Sequence, residues 1–164
     1  MIVFIDDIQI YSLFEEEHEL HLKVVLQTLQ EHKLYAKFSK CEFWLSQVVF
    51  LGHVISTEGI SVDLAKIMVV KNWKQPQIVK KIKSFLGFVG YYKKFVEGFS
   101  KVATPLTKLT QKGVKFDWNE RCEMSFQMLK DKLTTAPVLA MSDGSGGYVV
   151  YIDASRNGLG YVLM

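Results

Sequence analysis

The sequence predicts an α+β fold. That reading rests on short β-prone runs near residues 1–11 and 48–62, and on helix-periodic apolar stripes that separate and follow them. A last β-prone run flanked by glycines lies near residue 150. Strands and helices come in blocks (hairpin, helix, strands, helices, strands) instead of strict alternation, which is the α+β arrangement.

The elements are justified in order. Met1–Ile5 is apolar, and Ile8–Tyr11 resumes that character after Asp6-Asp7, so two short strands are expected around a polar break. A helix is expected from Glu15 to about Lys33, with Leu22, Val25, Leu26 and Leu29 on one face and acidic residues at its start. Strands are expected at 35–38 and 48–55, the second with Gly52 inside it, and a short third one near Ile60-Ser61-Val62. Asp63 suits the N-cap of a short helix that ends before Pro76.

A long helix is expected over Ile78–Val96, its stripe being Ile78, Ile82, Phe85, Leu86, Val89, Tyr92, Phe95 and Val96. Thr104-Pro105 opens a helical turn through Leu109. Asn119 caps a further helix whose buried face is Cys122, Phe126, Leu129 and Leu133. Asp143–Gly147 reads as a glycine-rich turn, Gly147–Ser155 as a strand, and Gly160–Met164 as the start of its partner.

Composition narrows the class. The chain has 164 residues, 49% hydrophobic and 23% charged, which is a globular balance with room for a core. A net charge of +3 is too mild to prove a polyanion partner. Cys41 and Cys122 match no metal or redox spacing, so a reduced intracellular chain is expected, with cytoplasm and nucleus not distinguished. No apolar run reaches the length of a membrane helix, and Met1–Ile5 is too short for a signal peptide, so no membrane partner is expected.

Asp6-Asp7 is the first chemical candidate. Adjacent carboxylates between apolar strands concentrate the oxygen ligands that Mg²⁺ prefers, although on the residues alone a polar turn is the simpler reading. Lys80, Lys81, Lys83, Lys93 and Lys94 lie away from much of the apolar stripe of the long helix, interleaved with Phe88 and Tyr91. Such a set suits phosphate contact, and suits a solvated helix face equally. His18, His21, His32 and His53 have no ligand partners that complete a zinc pattern, and the methionines Met68, Met124, Met128 and Met141 read as core filler.

The string Val3-Phe4-Ile5-Asp6-Asp7-Ile8-Gln9-Ile10-Tyr11-Ser12 resembles the palm motif of reverse transcriptases, and more narrowly that of gypsy-type long-terminal-repeat retrotransposons. The resemblance continues in order along the chain. His18-Glu19-Leu20-His21-Leu22 resembles the palm helix, and Lys37–Phe43 a following strand. Phe50-Leu51-Gly52-His53-Val54-Ile55-Ser56 resembles the primer-grip hairpin. Ser84-Phe85-Leu86-Gly87 with Gly90-Tyr91-Tyr92 resembles the thumb helix, Thr104-Pro105-Leu106 and Phe116-Asp117-Trp118 the connection, and Tyr151–Ser155 the opening strand of ribonuclease H. Leu64 stands where the family usually has proline, and Ile152 where it has a small hydroxyl residue.

The resemblance implies RNA-directed DNA synthesis by two-metal nucleotidyl transfer, with Mg²⁺ or Mn²⁺ as cofactor. Asp6 and Asp7 would be catalytic metal ligands, and Asp153 a ribonuclease H metal ligand. Phe50, Leu51, Gly52, His53, Lys80, Lys83, Lys93 and Lys94 would touch nucleic acid. Implied partners are an RNA template, a DNA primer or RNA–DNA hybrid, a dNTP, and the rest of a polyprotein. Implied regions are residues 1–62 (palm with primer grip), 63–98 (thumb), 99–146 (connection) and 147–164 (the start of ribonuclease H). A third palm carboxylate and the later ribonuclease H acids are not among these residues, so the chain alone is expected to be inactive, either a non-catalytic duplex-binding module or an inert remnant.

Overall fold

The computed structural model describes residues 1–140, 149–155 and 158–163, with side chains described through 140 and at 149–152. The elements are β1 (Ile2–Phe4), β2 (Asp7–Gln9), α1 (Glu15–Glu31), β3 (Gln47–Phe50), β4 (His53–Ser56), β5 (Gly59–Val62), α2 (Leu64–Lys71), α3 (Val79–Tyr91), α4 (Phe99–Lys108), α5 (Glu120–Thr134), β6 (Val150–Ser155) and β7 (Gly158–Leu163). Strands and helices are segregated as expected for α+β. The sheets are the β1-β2 hairpin, the antiparallel β3-β4-β5 meander and the β6-β7 hairpin.

The core sits among α2–α5 and the end of β5. Ile82, Phe85 and Val89 of α3 are buried against Leu106 of α4 and Phe126, Leu129 and Leu133 of α5. Phe85 and Phe126 pack with ring centroids 4.6 Å apart, tilted by 54°. Lys130 lies over the Phe126 ring and donates from Nζ to the Trp73 carbonyl, which ties α5 to the residues after α2. The expected caps are present: Asp63 accepts from the Ala65 N–H and Asn119 from the Cys122 N–H. The expected α5 face, Cys122, Phe126, Leu129 and Leu133, is buried.

Several expectations are corrected. The strand at 35–38 is absent. Lys33 takes a positive φ of 55°, a 3-10 turn occupies Phe38–Lys40, and Tyr35 and Phe38 are exposed, with no strand among the described residues paired to them. The run 48–55 is two strands, because Leu51 and Gly52 turn the chain at φ of 50° and 75°. That is the positive-φ pair of a type I′ hairpin.

The polar break in the first hairpin is shifted by one residue. Phe4 pairs with Asp7, so Ile5 and Asp6 form the turn and Asp7 begins β2. The long helix stops at Tyr91 and passes into a 3-10 turn at Lys93–Phe95, while Ile78 is an exposed N-cap. α4 begins at Phe99, well before Thr104, after Gly98 in the left-handed region. Pro105 therefore lies inside a helix. The burial of Ala103 and Leu106 outweighs the hydrogen bond it cannot make.

α1 spans nearly its expected range, yet none of its residues is buried. Leu22, Val25 and Leu29 are half-buried and Leu26 is exposed. Its amphipathic face is open among the described residues. The turn at Asp143–Gly147 lies outside the described residues. β6 and β7 pair from Val150↔Leu163 to Ser155↔Gly158.

Candidate nucleic-acid interface and carboxylate hairpin

The β1-β2 hairpin positions the paired acids. Ile2↔Gln9, Val3↔Ile8 and Phe4↔Asp7 set the register, and Ile5 takes a φ of 52° at the turn. A β-branched residue there is strained by about 1–2 kcal/mol. Asp6 and Asp7 are both exposed. Among the described residues no group of three or more His, Cys, Asp or Glu side chains is placed to hold a metal. Mg²⁺ in phosphoryl-transfer sites is bound through one or two carboxylates plus substrate phosphates. The donor set at Asp6-Asp7 fits that part of such a site and does not form a closed centre by itself. Asp153 lies in β6 opposite Gly160, and its side chain is outside the described residues.

The β3-β4 turn is held from a distance. The Tyr91 hydroxyl, at the end of α3, donates to the Leu51 carbonyl at 2.8 Å. The neighbouring Tyr92 hydroxyl donates to the Gly52 carbonyl at 3.3 Å. The Asp63 N–H also donates to Gly52 O, at 3.3 Å. His53 Nδ1 lies 3.1 Å from Leu51 O. A carbonyl only accepts, so this nitrogen carries the proton. The His53 ring packs against Tyr91, Tyr92 and Phe95 with centroids 5.4, 5.4 and 5.7 Å away. Burial, then the neighbouring Tyr91 and Asp63, push the Tyr92 hydroxyl above the usual tyrosine range.

Phe50 and His53 are half-buried and Leu51 is exposed at this turn. Lys80, Lys83, Lys93 and Lys94 are all exposed. The structure brings only some of these together. Lys93 and Lys94 follow directly on the tyrosines, whereas Lys80 lies about 16 Å along the helix from Tyr91 at 1.5 Å per residue.

Lys80, Ser84, Gly87 and Tyr91 share one helical face, and all are exposed. A Cβ at Gly87 would meet nothing within 4 Å, so the face is open at its middle. Ser84 and Gly87 were not singled out as functional from sequence, although their spacing from Tyr91 places them on this stripe. Lys66 was also missed. It belongs to α2 and its Cε would lie 3.7 Å from a Cβ on Gly52. No local pattern reveals that proximity.

Residues 1–55 match the reverse transcriptase (RNA-dependent DNA polymerase) family, and residues 118–164 match the RNase H-like domain found in reverse transcriptase. An uncharacterized mitochondrial protein of Arabidopsis thaliana is 41% identical over 125 residues, covering 75% of this chain and 78% of that protein. The transposon Tf2-3 polyprotein of Schizosaccharomyces pombe is 37% identical over 163 residues, covering 99% of this chain. The chain spans only 12% of that polyprotein's length.

The fold superposes on a foamy viral protease-reverse transcriptase solved with double-stranded DNA, with a TM-score of 0.78 and 25% identity over 88% of this chain and 26% of the other. A foamy viral protease-reverse transcriptase solved with an RNA/DNA hybrid gives a TM-score of 0.77 at 22% identity, covering 94% of this chain and 23% of that one. No described helix is long and apolar enough to cross a membrane. With the first hairpin inside one family match, the last helix and strands inside the other, and a transposon polyprotein aligned along nearly all of its length, the chain carries reverse-transcriptase and RNase H-like regions of the kind found in retrotransposon polyproteins.

Proposed function

We propose that this chain is the duplex-holding portion of a gypsy-type retrotransposon reverse transcriptase, running from the palm hairpin to the first strands of ribonuclease H. The observation that carries the reading is the hydrogen bond from Tyr91 to Leu51. It ties the β3-β4 turn to the open stripe Lys80, Ser84, Gly87 and Tyr91, so that one surface offers a turn, aromatic rings and lysines. Lysines there give a phosphate backbone salt-dependent affinity without choosing a sequence. Phe50, Leu51, Gly52 and His53 would face the primer strand, and Lys80, Lys83, Lys93 and Lys94 the backbone of an RNA–DNA hybrid. We divide the chain at 1–62, 63–98, 99–146 and 147–164 into palm, thumb, connection and ribonuclease H regions.

In the assembled enzyme Asp6 and Asp7 would offer carboxylate oxygens to Mg²⁺ or Mn²⁺, and Asp153 would do so at the ribonuclease H site. When bound, such ions stabilise charge on the attacking and leaving oxygens of nucleotidyl transfer from a dNTP. The hairpin's own work is to hold two carboxylates at a turn whose backbone is fixed by the Phe4↔Asp7 pair. A third carboxylate for the palm comes from outside these residues in this reading, so the 164-residue chain binds duplex and does not extend a primer.

The test has two arms. Fluorescence anisotropy with a labelled RNA–DNA duplex should show affinity that falls with salt and weakens in Lys80→Gln, Lys83→Gln and Lys93→Gln. Primer extension with Mg²⁺ or Mn²⁺ should give no product. Synthesis lost in the Asp6→Asn/Asp7→Asn double variant would refute the claim of inactivity, and salt-independent or absent binding would refute the duplex-holding role.

A further inference from the structure

The β3-β4 turn has an electrostatic property that its sequence does not suggest. A carbonyl oxygen has two lone pairs. At Leu51 they are met by the Tyr91 hydroxyl and the His53 Nδ1–H, at 2.8 and 3.1 Å. At Gly52 they are met by the Tyr92 hydroxyl and the Asp63 N–H, both at 3.3 Å. The turn therefore presents no spare backbone acceptor that would repel an approaching anion. Beside it runs the half-buried side chain of Lys66, whose Cε would lie 3.7 Å from a Cβ on Gly52. An ammonium on a stem packed along the turn has its reach restricted to that neighbourhood.

We propose that Lys66 is a phosphate-contacting residue of this chain, placed by the acceptor-saturated Leu51–Gly52 turn to bind a phosphodiester of the nucleic-acid duplex. The proposal rests on the duplex-holding reading above and adds to it a cation on α2, away from the α3 lysines. A Cβ on Gly52 would lie 2.7 Å from the Tyr92 hydroxyl oxygen but only in ordinary contact with Lys66 Cε, so glycine at this position serves the tyrosine bond while Lys66 packs beside the turn. Asp63 is the opposing charge beside the turn. Its Oδ1 accepts from the Ala65 N–H at the start of α2, which leaves its charge to offset part of Lys66's attraction. The two residues should therefore act with opposite sign on a polyanion.

The experiment measures the affinity of the 164-residue chain for a fluorescein-labelled RNA–DNA duplex over a range of KCl concentrations. The slope of log affinity against log salt reports the number of phosphates neutralised, at about 0.7–0.9 per contact. Lys66→Gln should lower that slope by about one contact and weaken binding about three- to tenfold at low salt. Lys66→Arg should restore the slope, and Asp63→Asn, which keeps a capping oxygen, should strengthen binding. A slope unchanged in Lys66→Gln, while Lys80→Gln and Lys93→Gln lower it, overturns this inference and leaves the duplex-holding role standing. A wild-type chain with no salt-dependent binding overturns both. Loss of binding in Lys66→Arg as well as Lys66→Gln, with thermal unfolding shifted in both, assigns Lys66 to packing and also overturns the proposal.

Discussion

The Tyr92 hydroxyl donates to the Gly52 carbonyl, and a β-carbon on Gly52 would lie 2.7 Å from that same hydroxyl oxygen. The glycine and the tyrosine are thus one device: the bond forms only because position 52 has no side chain. Gly52 also takes a φ of 75°, a region costing other residues about 1–2 kcal/mol. Gly52→Ala should therefore destabilise the chain by about 2 kcal/mol, as strain adds to a weakened hydrogen bond. Urea denaturation followed by far-UV circular dichroism measures this directly. A change below about 0.5 kcal/mol would mean the turn relaxes without loss.

Tyr92 gives the fold a sensitivity to alkali. Its hydroxyl titrates above the usual tyrosine value because burial, then Tyr91 and Asp63, disfavour the phenolate. With the folded value raised, the unfolded chain loses this proton first. The contribution to stability is complete below the unfolded value of about 10 and is lost as pH rises through the folded value. Urea midpoints should fall between about pH 9.5 and 11 in the wild type. In Tyr92→Phe the fall should be shallower, and the unfolding free energy at neutral pH should be lower by the worth of one hydrogen bond, about 1 kcal/mol.

What could be read from sequence follows the range of the forces involved. Asn119 and the stripe Cys122, Phe126, Leu129 and Leu133 were legible because a cap and a 3.6-residue period are local signals. Local strand preference across Val48–Ile55 favours one continuous strand and hides the break at Leu51–Gly52, to which only the resemblance of Phe50–Ser56 to a hairpin pointed. Pro105 misdirected the start of α4, since burial of Ala103 and Leu106 is a tertiary effect. At the site, Asp6-Asp7 was visible as a motif. The tyrosine bonds join residues 40 positions apart, and Lys66 reaches the turn from another element, so neither has a local signature.

Gly59 is a second position where a side chain has no room. Its φ is 134°, and a Cβ there would fall on the Leu139 carbonyl and 3.1 Å from Val138 Cγ1. That carbonyl accepts from the Ile60 N–H, and the Leu139 N–H returns a bond to Ile60 O, each at 2.8 Å. The pair joins β5 to the chain just after α5. Gly59→Ala should break it, at a cost of about 1–3 kcal/mol from the backbone alone. Hydrogen exchange at the Ile60 and Leu139 amides should accelerate together, while the amide of Phe126 in the core exchanges as before. Protection retained at both amides would show that the junction can shift to admit a methyl group.

Leu64 is the opposite case, a position where restriction should help. It is the first residue of α2, follows the Asp63 cap and is 74% exposed, so its side chain contributes little packing. An amide at that position has no intrahelical acceptor, and proline's fixed φ suits it. Asp63, at φ −57° and ψ 128°, is already extended in the way a residue before proline must be. Leu64→Pro removes freedom from the unfolded chain without removing a native bond, and should stabilise by about 0.4–1 kcal/mol. For a chain of this size that raises the thermal midpoint by about 1–4 °C. Calorimetry on the two proteins decides it. A lower midpoint would show that the exposed leucine makes a contact in the folded state worth more than the entropy that proline removes.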